Sequence, residues 1–121
     1  MNTAIDHIDK ARHNLVTLAI TGLDTDQHAD WAIVVMFYAA LHAARAALHA
    51  RSVNHGTSHA QTQKGVDATF PQNMAQAYER LYSRSRAVRY EDLGATRNDY
   101  QRLRNQDFTP LKLANILGLV I

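Results

Sequence analysis

Over residues 30–48 the chain reads DWAIVVMFYAALHAARAAL, and no charge interrupts it over residues 31–41. On a helix, Trp31, Val34, Val35, Tyr38, Leu41, Arg45 and Leu48 lie on one side, and Ile33, Phe37, Ala40, Ala44 and Ala47 lie on the other. A helix that is apolar on nearly every face is buried on nearly every face. The pattern therefore predicts the central rod of a helical bundle, running from about residue 27 to residue 51. The alanine row is flat enough for close approach of another helix. It also offers more apolar surface than a five-helix monomer needs, which predicts a homodimer.

The rest of the chain supplies helices to surround this rod. Thr3 and Asp6 form a start signal, after which Ile5, Ile8, Leu15 and Leu18 recur at helical spacing. They predict an amphipathic first helix ending near Gly22, with Asp24, Thr25 and Asp26 as caps for the rod. Asn54-His55-Gly56 ends the rod, and Thr57 or Ser58 caps a short third helix through Thr69. Pro71 suits the first turn of a fourth helix. That helix carries Met74, Tyr78, Leu81, Ser85 and Val88 on one stripe and stops near Tyr90, before a loop over residues 91–94. Thr96 with Asp99 restarts a helical segment bearing Tyr100 and Leu103, and Thr109-Pro110 opens the C-terminal run LKLANILGLVI. The expected fold is all-α: one up-and-down bundle over residues 1–121, with four main helices and short C-terminal ones.

Composition agrees, since glycine (five) and proline (two) are scarce in 121 residues. The absence of cysteine excludes disulfides, thiolate metal sites and cysteine nucleophiles. The opening MNTAIDHIDKARHN lacks the apolar core of a signal peptide. The run over residues 31–41 is shorter than the ~20 residues needed to cross a bilayer. A cytoplasmic protein without a membrane partner is expected. The net charge of +2 is unevenly distributed: residues 1–60 hold four basic and five acidic side chains, residues 61–121 nine and six. Seven arginines fall between positions 80 and 104. Guanidinium presents forked, permanently charged donors suited to phosphate; the alternative is a solvated face paired with Glu79, Glu91, Asp92 and Asp99.

Three stretches together resemble the HEPN domain, a small helical bundle of prokaryotic toxin–antitoxin and related systems. They are Trp31 with Phe37-Tyr38-Ala39 and His42-Ala43-Ala44-Arg45-Ala46, then SHAQTQKGV over 58–66, then LYSRSRAVRYED over 81–92. The resemblance implies an up-and-down homodimeric bundle. In nuclease members of that family an arginine and a histidine, separated by four to six residues, share a cleft. The histidine would act as acid or base toward a ribose 2′-hydroxyl and the arginine would hold the phosphate, with no cofactor. Here Arg84 is followed after four residues by Arg89, and then by Tyr90. Arginine cannot accept a proton near neutral pH. The resemblance therefore implies binding of a nucleotide or RNA phosphate through Arg84, Arg86, Arg89 and Tyr90, with a nucleotidyltransferase-type partner, and no catalysis. Two alternatives stand beside it. One is a metal-independent endoribonuclease toxin in which His42, His55 or His59 replaces the missing histidine, and the other is a purely structural interaction protein.

Tyr38, His42, Arg45 and His49 advance by four, three and four residues and form one stripe on the rod. The stripe either lines a cleft where His42 and Arg45 meet an anion, or is internally hydrogen-bonded with His49 in solvent. His55 and His59 have a spacing that binds zinc on a single helical turn. With Gly56 and Thr57 in a loop and cap, and no HExxH pattern, no metal is expected. Nor is there a GxSxG nucleophile elbow or a phosphate-cradling glycine loop.

Overall fold

Seven alanines of positions 32–47 are fully enclosed, and they keep the second helix thin enough for neighbours to reach its backbone closely. The computed structural model describes residues 4–20, 25–90 and 94–108. These form α1 (Ala4–Ile20), α2 (Ala29–Ala50), α3 (His59–Thr69), α4 (Gln72–Tyr90) and α5 (Arg97–Leu103), the last continuing as a π-helical turn over Arg104–Phe108. No strand occurs among the described residues. The all-α bundle expected from the sequence is present. The predicted C-terminal run, Gly22, Asp24 and the loop at 91–93 lie outside the described residues, as do the side chains of Ile5, Ile8, Leu15 and Leu18.

α2 is the hub: it packs against α1 most extensively, and also against α3, α4 and α5. At its centre the Phe37 ring sits 5.5–5.8 Å from those of His59, Tyr78 and Tyr82, in tilted packing that aromatic quadrupoles favour. Tyr78, Leu81 and Ser85 of the predicted α4 stripe are buried, with Met74 and Val88 half-buried at its ends. α3 approaches α2 at Gly65, where a Cβ would come within 2.9 Å of Leu48 Cδ1.

The caps are where local chemistry sets the boundaries. Ser58 and Gln61 form a reciprocal capping box at the start of α3, as do Thr96 and Asp99 at the start of α5. Gly56 has φ +65°, and a Cβ there would strike the Gln61 side chain that completes the box. Pro71 precedes α4, its carbonyl accepting from the N–H groups of Met74 and Ala75. The entry to α2 differs from expectation. His28 occupies the cap position without a side-chain bond, its N–H donating to Thr25 Oγ1, while Asp26 Oδ1 accepts from the Arg97 N–H and ties this turn to α5. α2 ends at Ala50, ahead of the predicted 54–56 breaker, because Ser52 takes the left-handed conformation (φ 59°) and the Val53 N–H returns to the Leu48 carbonyl.

Three features of α2 bear on the expectations drawn from its sequence. Trp31 is 62% exposed, and Val34, Val35, Tyr38, His42 and Arg45 are only half-buried. The described neighbours enclose most of the helix but leave this stripe along a groove beside α1, so the rod is not sheltered all round. Conversely, Ile33, Phe37, Ala40, Ala44 and Ala47 are fully enclosed within one chain. The row from which a homodimer was expected is occupied by the protein's own helices. Finally, the complete 22-residue helix is long and apolar enough to cross a membrane, although the run at 31–41 alone is not. Most of its apolar window is buried in the bundle, as in the core helix of a folded domain.

Candidate functional site

The half-exposed stripe of α2 collects polar side chains from four other segments. α1 runs antiparallel to α2, so His7 meets His42 with their Nδ1 atoms 3.0 Å apart and the rings stacked. His55, from the α2–α3 loop, stands edge-on to His7 at 5.1 Å between centroids. One turn along, Arg45 donates from Nε to Thr62 Oγ1 (3.1 Å) and from Nη2 to the Thr57 carbonyl (3.5 Å). Thr62 in turn donates to the backbone carbonyls of His55 and Ser58, fixing the loop and the start of α3 against α2. From α4, Arg89 Nη1 donates to the Tyr38 hydroxyl at 2.8 Å, with the guanidinium carbon 5.4 Å from the tyrosine ring centre.

Burial and mutual proximity hold this cluster's imidazoles neutral. His7 is pushed down to about 4, first by burial, then by the positive charge of His55, Arg45, Lys10 and His49. His42 is pushed down to about 4 by burial, then by His7, Lys10 and Arg45. His55 is lowered chiefly by burial, and His59 by burial and then by Arg45 and Arg89. One imidazole of the His7–His42 pair donates its Nδ1–H and the other accepts, so protonating both would place two charges in contact. Fixed positive charge at neutral pH therefore resides on Arg45, Arg89 and Lys10. Arg45 is the informative one: it is half-buried, both its hydrogen-bond acceptors are uncharged, and no carboxylate of the described residues pairs with it.

A groove of about 440 Å³ runs along this seam, with Lys10, His13 and Asn14 on the α1 wall and Val35, Tyr38 and His42 on the α2 wall. Asp9 also lies on the α1 wall.

Of the seven residues singled out in the sequence, six divide among three places. Tyr38, His42, Arg45 and Arg89 gather at the seam. Arg84 faces the opposite side of α4, in a cleft of about 630 Å³ toward α5, where it pairs with Asp99 (3.7 Å) as Arg102 does (3.5 Å), beside the Arg80–Asp107 ion pair (2.6 Å). Arg86 is exposed and lines a third depression with Lys64 and Asp67. Arg89, three residues further on, is drawn instead to Tyr38. The Tyr90 side chain lies outside the described residues. His49 is solvent-exposed, as one of the two sequence alternatives had it. His55 and His59 point to different environments: His55 Nδ1 lies 2.6 Å from the Gly56 carbonyl oxygen, while the His59 ring packs on Tyr82 at 4.9 Å. Among the described residues no three histidine or carboxylate groups converge as a metal would require.

His7, Lys10, His13 and Thr62 were not anticipated. A signal existed for His7, which falls between Ile5 and Ile8 on the apolar side of α1, where a buried imidazole needs a polar partner on the facing helix. No family model, curated protein or solved structure matches the chain.

Proposed function

We propose that this protein is a HEPN-like helical module that binds the phosphate of a nucleotide or RNA at the seam of α2, without chemistry at position 89. The observation that carries this reading is the Arg45 guanidinium: half-buried, bonded only to neutral oxygens, and surrounded by imidazoles that its own charge helps to keep unprotonated. An anion entering the seam would meet Arg45 and Lys10, with Arg89 presented through Tyr38. Charge-assisted hydrogen bonds of this kind contribute about 1.5–3 kcal/mol each. Arg84 is a weaker candidate than the sequence implied, because Asp99 already faces it.

Binding of a labelled single-stranded RNA and of a nucleoside monophosphate, followed by anisotropy at low salt, tests the reading. Arg45→Gln and Arg89→Gln are expected to weaken binding about tenfold or more each, while Arg86→Gln changes it little. Absence of binding at low salt, or equal losses at all three positions, contradicts it. RNA cleavage in EDTA that disappears in His59→Ala would instead favour the endoribonuclease alternative, since His59 lies in the field of both Arg45 and Arg89.

A further inference from the structure

Among the described elements, α1 alone packs extensively on a single neighbour, α2. The other helices hold one another without it. Phe37 of α2 meets Tyr78 and Tyr82 of α4, and Gly65 of α3 lies against Leu48 of α2. Arg80 of α4 pairs with Asp107 after α5, and the Arg97 N–H of α5 donates to Asp26 in the turn before α2. Releasing α1 breaks none of these contacts.

The polar tie that docks α1 is the His7–His42 pair, and its geometry requires neutral rings. The two Nδ1 atoms face each other at 3.0 Å, so one proton fits between them and a second does not. His7 is 1% exposed, and its Nε2 is buried without a hydrogen-bond partner among the described residues. A proton added there would have no acceptor. No carboxylate of the described residues pairs with either ring; Asp6 and Asp9 of α1 are exposed, although Asp9 shares the groove wall with Lys10 and His13 opposite His42. Lys10 of α1, Arg45 and His49 of α2, and His55 of the following loop surround the pair with cations and further imidazoles. Arg89 of α4 lies at Tyr38, one turn from His42.

We propose that the His7–His42 pair is an acid-operated latch, in which uptake of a second proton undocks α1 from α2 while the remaining helices stay assembled. In the docked helix both rings titrate near 4, against 6.5 for an ordinary imidazole. Released rings therefore take up protons that docked ones refuse, and release gains ground as the pH falls from 6.5 toward 4. At about pH 5.5 one such imidazole favours release about tenfold and two about a hundredfold.

Amide hydrogen exchange of the full chain at about pH 7.5 and 5.5, corrected for the intrinsic rates, separates release of α1 from unfolding of the bundle. Amides of residues 7–14 are expected to be about tenfold or more less protected than those of residues 78–85 at both values, because one helix opens more readily than the whole. Their protection is expected to fall about tenfold to a hundredfold at the lower pH. In His7→Gln/His42→Gln, where the pair cannot titrate, that fall disappears. Equal protection in α1 and α4 overturns the proposal, since the helices then open only together. Protection of α1 that ignores pH, or a fall that the double variant retains, overturns it as well, since fraying or other groups then account for the opening. If the double variant does not fold at neutral pH, the two wild-type results decide.

Discussion

The Nδ1 atoms of His7 on α1 and His42 on α2 stand 3.0 Å apart, so the most extensive helix contact among the described residues is bridged by two imidazoles that share one proton. That sharing makes the α1–α2 contact sensitive to acid. Both groups titrate near 4 in the folded protein against 6.5 for an ordinary histidine, so between those values the unfolded chain binds more protons than the folded one. Stability is fully present above about pH 6.5 and falls as the pH drops toward 4. His55, Arg45, Lys10 and His49 add positive charge around the pair and act in the same direction. Urea midpoints measured across this range should fall steeply in the wild type and less steeply in His42→Gln. A flat profile would contradict the account of the pair.

Phe37 should be the costliest single truncation. Its side chain is fully enclosed by His59, Tyr78 and Tyr82, and Phe37→Ala is expected to destabilise by about 3–5 kcal/mol. Chemical denaturation measures it; a loss below about 1 kcal/mol would mean that the rings around it collapse freely into the space.

The alanine side of α2 makes the opposite prediction. Ala40 and Ala44 are fully buried, so Ala44→Leu adds three carbons where no space exists and is expected to cost about 1–3 kcal/mol. Were this row an unoccupied dimer face instead, the larger side chain would be tolerated by the monomer, with little change in its melting temperature.

At the start of α3, Ser58 accepts the Gln61 N–H at 3.1 Å while the Gln61 side chain accepts the Ser58 N–H at 3.2 Å. Ser58→Ala is expected to cost about 1 kcal/mol. It should also loosen the Thr57 carbonyl that Arg45 uses, visible as faster amide exchange over the loop preceding α3. Unchanged exchange there would separate the cap from the seam.

Periodicity and capping chemistry are local, and they revealed most of the architecture: the α4 stripe through Tyr78, Leu81 and Ser85, the Ser58 cap, and the Thr96–Asp99 restart all follow from residues within a turn or two of each other. The seam was only half visible. Tyr38, His42 and Arg45 announce themselves because they share a helix. His7 and Thr62 join them through tertiary contacts spanning 35 and 17 residues, which no window along the chain reports. The exposure of Trp31 was misjudged for a related reason. An uncharged run demands burial on average, but which face stays open depends on how many helices reach the rod. The arginine cluster was dispersed by geometry, since positions 84, 86 and 89 point to different sides of α4 and only Arg89 turns toward α2.

Central to the proposed function is the binding of a phosphate by the Arg45 guanidinium. The most direct measurement is the salt dependence of single-stranded RNA affinity for the wild type and for Arg45→Gln, with thermal unfolding used to verify that both are folded. Each phosphate neutralised on a single strand contributes a slope of about −0.7 in log affinity against log salt. The account predicts weaker binding by Arg45→Gln and a slope shallower by about that amount. Equal affinities and parallel slopes would contradict it.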